Sequence, residues 1–397
     1  MEKAVIIDAI RTPIGRYGGA LKDLRPDDLA AIVIKELIKR NDFPVEEIED
    51  VYVGCANQSG EDNRNVARMA SLLAELPLSV GGVTVNRLCG SSLEAVNQAA
   101  KAVMCREGDI FIAGGTESMT RAPIVMAKQT KAFQRSVETY DTTIGWRFVN
   151  KKLSEKHYPY SMIETADNVV KKYGISRESQ DEFAYNSQQK AKVAMETGKI
   201  LDEIVPVEVK QKKETIVVEH DEHPRPNTSL EKLQSLKSIY EGGTVTAGNA
   251  SGINDGSAAV LIMSEKKAKE LGLSPIASIE SFAVAGVDPS IMGIGPVPAT
   301  NKAIQRANLS ILDIGLVELN EAFAAQSIAC MNELSLNRDI VNVNGGSIAY
   351  GHPLGASGAR ILTTLLHEMK RREVEYGLAT MCIGVGQGIA TVVKRYD

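Results

Sequence analysis

The sequence lacks any hydrophobic run close to the roughly 20 residues that a membrane-spanning helix needs. Its start passes directly into a β-rich stretch at Ala4–Ile7, without the basic residues or the cleavage site of a secretory signal. It also lacks a basic excess, since 45 Lys and Arg against 50 Asp and Glu give a net charge of −5. These absences argue against membrane insertion, secretion and a non-specific nucleic-acid surface, and we expect a cytoplasmic protein.

Cysteine is scarce and scattered, with no close pair and no zinc-site spacing, which argues against a disulfide framework and for a reducing compartment. The five cysteines are Cys55, Cys89, Cys105, Cys330 and Cys382. The only metal-like spacing, His220 to His223, lies in a polar stretch with a proline, where a solvated loop is the better interpretation. We therefore expect no metal site. With 397 residues, 44% hydrophobic and 24% charged, the chain is typical of a globular protein of about two or three domains.

An internal repeat indicates a duplicated architecture. Three segments recur in order at an offset of about 265 residues, each pair sharing its pattern. The pairs are Val45–Cys55 with Leu309–Asn320, Cys89–Ser92 with Gly355–Gly358, and Asp109–Gly114 with Gly377–Cys382. Amphipathic helices alternate with short β-branched runs, which predicts mostly parallel or mixed sheets covered by helices. We expect an N-terminal half over residues 1–269, with an inserted loop region at about 120–249, and a C-terminal half over 270–397.

The first candidate for chemistry is Cys89. The strand-like run Val83–Val85 leads into a turn of small residues and then an amphipathic helix, so Cys89 lies at or beside a helix N-terminus. The helix dipole and free amides there favour the thiolate, the reactive form of cysteine. A packed core cysteine is an equally good interpretation of this segment alone.

The C-terminal half adds two further candidates and a polar pair. His352 is held between Gly351 and Pro353 in a glycine-dense stretch, which favours a base or hydrogen-bond donor over a surface histidine. Cys382 is followed by a Gly-x-Gly-x-Gly sequence that runs into a strand, so it fails the test for a dinucleotide loop, which opens a helix. Asn320 and Glu321 follow a buried strand, where helix capping is the alternative role.

Together these motifs resemble the thiolase family. The matching segments are NEAFA at Asn320, GHP at Gly351 and CxGxG at Cys382, with Cys89 upstream and TAGNASGINDG over Thr246–Gly256. The resemblance covers essentially the whole chain. It implies two similar α/β halves in a five-layered α-β-α-β-α sandwich with an inserted loop domain. It also implies a homodimer or homotetramer that uses coenzyme A as a substrate, with no permanently bound cofactor and no metal.

The same resemblance implies a role for each catalytic candidate. Cys89 is the nucleophile that carries the acyl group as a thioester, and His352 activates it and helps to hold the substrate thioester oxygen. Asn320 orients a water in that oxyanion pocket. Cys382 is the second acid and base at the acetyl carbon. The backbone amides of Cys89 and Gly384 form a second oxyanion hole.

The coenzyme A contacts are also implied by the resemblance. Ser251 contacts the pantetheine arm, Phe323 lines the tunnel for it, Met162 lies at the same site, and Arg225 meets the nucleotide end. Tyr350, just before the GHP motif, is bulky enough to narrow the acyl pocket.

The implied reaction is reversible cleavage of a 3-ketoacyl-CoA by coenzyme A, giving acetyl-CoA and a shortened acyl-CoA. Where acetoacetyl-specific members carry a His-Met-Gly triplet, this chain has Tyr160–Ala166, and Thr142–Asn150 and Asp221–Pro226 look like degradative 3-ketoacyl-CoA or 3-oxoadipyl-CoA thiolases. We therefore expect a degradative enzyme of fatty acid β-oxidation or related acyl-CoA breakdown. The alternatives are an acetoacetyl-CoA-specific acetyltransferase working in the condensing direction, a ketoacyl synthase, which would lack Cys382, and a non-enzymatic lipid-binding protein. The sequence leaves the acyl chain length, the physiological direction and the choice of dimer or tetramer open.

Overall fold

The computed structural model describes residues 2–396, and its first part is a mixed α/β unit. The strands and helices of this part, in chain order, are β1 (Ala4–Arg11), β2 (Gly15–Arg16), α1 (Pro26–Arg40), β3 (Ile48–Gly54), α2 (Val66–Leu73), β4 (Val83–Val85), α3 (Ser91–Cys105) and β5 (Ile110–Ser118).

The insertion that follows is built from short hairpins and helices with well-capped starts. Ser161 and Glu164 form a capping box at the start of α5, which satisfies backbone donors that would otherwise be unpaired. The elements are β6 (Ile124–Met126), β7 (Thr139–Asp141), α4 (Lys151–Ser154), α5 (Met162–Tyr173), α6 (Arg177–Glu196), β8 (Val207–Lys210), β9 (Thr215–Val218) and α7 (Leu230–Gln234).

The chain then completes the first half and builds the second. The elements are β10 (Asn254–Ser264), α8 (Glu265–Glu270), β11 (Ala277–Gly286), α9 (Pro296–Arg306), β12 (Leu316–Leu319), α10 (Ala324–Glu333), α11 (Ser347–Tyr350), α12 (Ser357–Arg372), β13 (Tyr376–Ile383) and β14 (Gln387–Arg395). Short 3₁₀ segments lie at Val45–Glu47, Leu201–Glu203, Pro289–Ile294, Ile311–Asp313 and Arg338–Ile340.

The strand order displays the predicted duplication. The hydrogen-bonded strand order is β12-β13-β14-β11-β1-β10-β5-β3-β4, with β2 added to β10. In each half a parallel pair, β3 with β5 and β12 with β13, is continued by antiparallel strands. The halves meet where β1 pairs with β11 over only two residue pairs, Val5 with Ser278 and Ile6 with Ala277. Each half therefore forms its own sheet, and the two are joined by a short seam.

Three hydrophobic clusters separate five layers, which confirms the expected sandwich. The central cluster combines α3 and α12 with one face of both sheets, including Leu93, Leu362 and Met381. The opposite face of the first sheet packs against α1 and α2, and that of the second sheet against α9 and α10. The alternation along β1 shows how one strand serves two layers, since Ile6 belongs to the central cluster and Val5 to the outer one. Within residues 2–396, no helix is both long and apolar enough to cross a membrane.

Candidate active site

Cys89 lies on a strained turn between β4 and α3. Leu88 adopts φ 47, a left-handed conformation that is costly for a branched side chain and common at functional turns. Asn86 Oδ1 accepts the Leu88 N–H at 2.9 Å, and Ser91 Oγ donates to the Leu88 carbonyl at 2.6 Å. A Cβ on Gly90 would lie 2.6 Å from Ile383 Cδ1, so glycine lets the turn approach the end of β13. The turn therefore presents Cys89 at the helix start, as predicted, and beside β13.

The electrostatics of Cys89 differ from the prediction. Burial raises the pKa of its thiol to about 11, although the N–H groups of Gly384 and of Cys89 itself point at the sulfur and oppose the rise. Loss of hydration of the charged form outweighs the helix start, so the resting sulfur is a neutral thiol. The amides therefore favour the thiolate as expected, but desolvation outweighs their effect in the free enzyme. Activation requires a base.

The two amides that converge on the Cys89 sulfur are those predicted to form an oxyanion hole. Gly384 follows β13 in the tight turn to β14, where Gly386 adopts φ +80 and would strike the Val287 carbonyl if it carried a Cβ. This turn fixes the direction of the Gly384 N–H. The structure thus brings Cys89 and Gly384 together, at a point where an oxygen bonded to an acyl carbon on sulfur could accept both N–H groups.

Cys382 is the penultimate residue of β13 and lies in an apolar cluster with two of the predicted coenzyme contacts. The cluster contains Phe323 together with Met162 at the start of α5, and a Cβ on Gly384 would lie 3.6 Å from Met162 Sδ. Burial raises the pKa of Cys382 well above its usual value, and the nearby Cys89 adds to the rise. Cys382 is therefore also a neutral thiol at rest, ready to donate a proton.

His352 is held through its backbone N–H and through one of its two ring nitrogens. Gly351 adopts φ +103 and packs against Asn254, whose Oδ1 accepts the His352 N–H at 3.0 Å. His352 Nδ1 lies 2.6 Å from Ser357 Oγ, and that hydroxyl donates its hydrogen to the Pro353 carbonyl at 2.8 Å. Because the hydroxyl has only one hydrogen, Nδ1 must be the donor to it. Nε2 is therefore the unprotonated nitrogen.

The free nitrogen of His352 is suited to a base. Among the described residues no hydrogen-bond partner reaches Nε2, although it is buried. Burial, with a smaller contribution from Arg360, lowers the pKa of His352 to about 3, so the ring is neutral at physiological pH. A neutral imidazole with a bare, dry nitrogen can accept the proton of a thiol.

Asn320 provides a second unpaired polar atom. It follows β12, and its backbone N–H donates to the Thr380 carbonyl on β13 at 3.0 Å. Its Oδ1 accepts the Ser347 hydroxyl at 2.6 Å, while Nδ2 is buried without a partner in the described part of the chain. An unsatisfied buried donor costs about 1–3 kcal/mol, so a hydrogen bond from Nδ2 to a substrate oxygen would be favourable. Helix capping, the alternative role, is not what its side chain does.

The predicted coenzyme residues fall into two places. Ser251 donates its N–H to the Ala322 carbonyl at 3.0 Å, and Ala250 pairs with Phe323, which places the Ser251 turn against the NEAFA segment near the cysteines. Arg225 instead lies on an exposed loop, where it lines a shallow pocket with Pro226, Asn227, Thr228 and Lys232.

Tyr350 does not narrow the acyl pocket. Its hydroxyl donates to the Asn344 carbonyl at 2.8 Å, and its ring lies over the Arg11 guanidinium. It packs with residues of α6, including Ala191, and not with the cluster around Cys382. The residue before the GHP motif points into the core, which local sequence could not reveal. The expectation for Tyr350 is wrong.

The structure also reveals supporting residues that the motifs did not single out. Asn254 connects His352 to the segment Asp221–Pro226, since its Nδ2 lies 3.3 Å from His223 Nδ1. Ser357 fixes the tautomer of His352, and Ser347 holds Asn320. The sequence could have identified Asn254, because it lies inside the TAGNASGINDG segment. No motif identified Ser347 or Ser357 as a supporting residue. Among residues 2–396 no group of three His, Cys, Asp or Glu could hold a metal ion.

The fold and this constellation define an acyltransferase of the thiolase class, and the comparisons agree. The models "Thiolase, N-terminal domain" and "Thiolase, C-terminal domain" match residues 4–266 and 273–395. The chain belongs to the thiolase family, whose members use coenzyme A as a substrate and need no permanently bound cofactor.

Individual relatives cover the chain from end to end. A beta-ketoadipyl-CoA thiolase of Escherichia coli is 56% identical over 400 residues, 100% of both chains. The crystal structure of the Bacillus anthracis acetyl-CoA acetyltransferase superposes with a TM-score of 0.94 at 42% identity, covering 100% of this chain and 99% of that one. The crystal structure of human mitochondrial 3-ketoacyl-CoA thiolase superposes with a TM-score of 0.92 at 40% identity, covering 99% of each chain.

Proposed function

We propose that this thiolase works in the degradative direction and that its preferred substrate is 3-oxoadipyl-CoA, which it cleaves to succinyl-CoA and acetyl-CoA. The relative at 56% identity is named for this substrate, also called beta-ketoadipyl-CoA. The observation that carries the chemistry is the pair of buried, unpaired atoms, His352 Nε2 and Asn320 Nδ2, in a site that also contains two neutral thiols.

In the first half-reaction His352 Nε2 accepts the Cys89 proton, and the thiolate attacks the C3 carbonyl of the substrate. The C2–C3 bond breaks, its electron pair goes to the acetyl-CoA enolate, and the acyl group remains on Cys89. Cys382 donates its proton to C2 of the enolate, which releases acetyl-CoA. Proton transfer from a positioned group typically contributes about 10²–10⁴-fold.

In the second half-reaction the Cys382 thiolate takes the proton of an incoming coenzyme A thiol. The coenzyme A sulfur attacks the acyl carbon, the bond to Cys89 sulfur breaks, and Cys89 recovers its proton from His352. All atoms and charges are thereby restored. The dry surroundings that raise the thiol pKa also strengthen hydrogen bonds to each transient oxyanion.

Two donor sets serve two developing charges. The N–H groups of Cys89 and Gly384 suit the oxygen of the acyl group on Cys89. The protonated Nε2 of His352 and the Nδ2 of Asn320, directly or through a water, suit the thioester oxygen of the enolate. We propose that Ser251, Phe323 and Met162 hold the pantetheine arm beside them, with Arg225 at the nucleotide end.

A matched pair of six-carbon substrates tests the specificity. Purified protein should cleave 3-oxoadipyl-CoA with a kcat/KM at least about tenfold above that for 3-oxohexanoyl-CoA, which differs only in lacking the distal carboxylate; tenfold corresponds to about 1.4 kcal/mol. Acetoacetyl-CoA completes the series. A preference for 3-oxohexanoyl-CoA would instead support β-oxidation, as the resemblance to the human 3-ketoacyl-CoA thiolase suggests. A preference for acetoacetyl-CoA would support the acetyltransferase alternative.

Mass spectrometry identifies the residue that carries the acyl group. A succinyl adduct should form on Cys89 after mixing with succinyl-CoA, and Cys89→Ala should abolish both the adduct and thiolysis while remaining folded. An adduct on Cys55, Cys105 or Cys330 would contradict the assignment.

We further propose that the chain divides into the halves 1–269 and 270–397, that it assembles as a homodimer or homotetramer, and that it works in the reducing cytoplasm. The connection between α8 and β11 supports this division, since it separates the two sheets. The chemistry requires two reduced thiols, which suits that compartment.

A further inference from the structure

Two side chains, linked by successive hydrogen bonds, hold the amide oxygen of Asn320. Its Oδ1 accepts the Ser347 hydroxyl at 2.6 Å, and Ser347 Oγ in turn accepts an N–H from Arg360 Nη2. Asn320 follows β12, Ser347 begins α11 and Arg360 lies in the first turn of α12. All three side chains are buried. Three separate elements therefore converge on one catalytic amide.

Only one arrangement of the hydrogen atoms satisfies both hydrogen bonds of Ser347, one with Arg360 and one with Asn320. A guanidinium only donates, so Arg360 occupies a lone pair of the Ser347 oxygen. The single hydroxyl hydrogen of Ser347 is then free for an acceptor, and the oxygen of Asn320 is that acceptor. Because the oxygen of the amide is fixed, its Nδ2 must face the other way. That is the atom left without a partner among residues 2–396.

Arg360 is itself tied to the strand that carries Asn320. Its Nη1 lies 3.9 Å from Glu318 Oε2, and both side chains are buried. Glu318 lies on β12, two residues before Asn320. The arginine thus bridges two positions of one chain segment, directly to Glu318 and through Ser347 to Asn320. Two other guanidinium nitrogens, Nε and Nη1, have no hydrogen-bond partner in the described chain, so the contact to Ser347 is its principal hydrogen bond.

We propose that Ser347 and Arg360 are positioning residues that orient the Asn320 amide so that Nδ2 faces the reacting oxygen. This inference rests on the proposed role of Asn320 in the oxyanion site and assigns two further residues to it. The two ends of an amide are nearly equal in size and shape, so packing alone does not distinguish the productive orientation from the flipped one. The serine hydroxyl does, because it presents a donor to one end only.

Ser347→Ala tests the proposal directly. It should lower kcat for thiolysis about tenfold, since the amide then loses its fixed orientation, and it should leave KM for coenzyme A within about twofold of wild type. Ser347→Cys keeps a weak donor and should give an intermediate kcat. Ser281→Ala is the matched control: it also removes a buried hydroxyl, one that donates to the Ala303 carbonyl at 2.6 Å in the outer layer, and it should keep the wild-type kcat. Thermal unfolding should show all three variants folded.

A double-mutant cycle separates positioning from a general structural effect. Asn320→Ala should lower kcat by about 10²-fold, the order expected for one oxyanion donor. Adding Ser347→Ala to Asn320→Ala should lower kcat by less than about twofold further, because the hydroxyl acts only through the missing amide. Full multiplication of the two losses would overturn the proposal, as would a wild-type kcat in Ser347→Ala.

The outcomes distinguish this inference from the proposed function. If Asn320→Ala retained the wild-type rate, the roles of Asn320 and of both positioning residues would be overturned, while cleavage by Cys89 would stand. If wild-type protein cleaved none of the three 3-ketoacyl-CoA substrates, the proposed function itself would be overturned.

Discussion

At the scale of single residues, the reactive groups of the candidate site, Cys89 and His352, are neutral in the free protein. Burial raises the pKa of Cys89 to about 11 and lowers that of His352 to about 3. Neither group is charged at neutral pH, so the resting site is not a thiolate–imidazolium pair. The proton is expected to move only when substrate supplies an oxygen that uses the waiting donors.

Alkylation of Cys89 should report this directly. Iodoacetamide reacts with the thiolate, so the rate at Cys89 should rise about tenfold per pH unit from roughly pH 6 to 9 without a plateau, because these pH values lie below the raised pKa. Quantitative mass spectrometry of the modified peptide provides the rate, with the exposed Cys105 as an internal reference. A plateau near neutral pH would instead show a preformed thiolate.

Cys382→Ser should separate the two thiols. It roughly keeps the volume, but the hydroxyl pKa is far above neutrality, so proton removal from the acetyl group should be lost. Cys89 and His352 are untouched, and the variant should still accept an acetyl group from acetyl-CoA. The measurement is exchange of the acetyl-CoA methyl hydrogens with solvent deuterium, followed by mass spectrometry. Exchange at the wild-type rate would move the base to His352.

At the scale of elements, the segment Asp221–Pro226 is anchored at its start and exposed to solvent towards its end. Arg11 binds the Asp221 carboxylate through two N–H groups at 2.7 and 2.9 Å, and all of these atoms are buried. His223 packs beside Asn254, and Arg225 then emerges into solvent. A segment that is fixed at Asp221 and exposed at Arg225 is suited to contacting a large, polar part of a substrate.

Arg225→Ala should therefore weaken binding more than it slows chemistry. We expect KM for coenzyme A to rise by roughly fivefold, the size of one exposed charge contact, with little change in kcat. The effect should fade with pantetheine thioesters, which lack the nucleotide. Arg106→Ala, at the exposed end of α3, is the control and should change neither constant. Equal losses with both substrate types would place Arg225 in the catalytic centre or in folding.

At the scale of the whole molecule, the candidate site combines residues from both proposed halves of the chain. The first half supplies Cys89, and the second supplies Asn320, His352 and Cys382. Their helices meet in the central layer, where a Cβ on Gly358 would lie 2.5 Å from the Leu93 nitrogen. Close packing of α3 on α12 therefore sets the spacing between the nucleophile and its partners.

The free edge of the first sheet supports the proposed assembly. β4 ends the sheet, and apolar side chains beside it are unusually exposed, with Leu78 at 80% and Val83 at 39%. We expect light scattering to show at least a dimer and Leu78→Asp with Val83→Asp to shift it to the monomer. Leu312→Asp, at a leucine 90% exposed in the other half, should leave the mass unchanged. A monomeric wild-type protein would contradict the proposal.

Much of the architecture could be predicted because it depends on local patterns. The repeat, the alternating helices and strands, and the turn before α3 follow from spacing within short segments, and the structure contains them all. The Cys382 loop was also correctly separated from dinucleotide loops, since β14 follows it. These features need only the periodicity of a helix or strand and the backbone freedom of glycine.

The sequence alone thus determined the duplicated fold and the identity of the reactive residue types, because both are written in short, continuous segments. Only the tertiary structure decided the state and direction of those residues. The Cys89 thiol is neutral because distant segments remove its water, Tyr350 turns into the core against α6, and Asn320 is aimed by Ser347 and Arg360 from two other elements. Desolvation and hydrogen-bond direction depend on which parts of the chain meet in space, and spacing along the chain does not encode them.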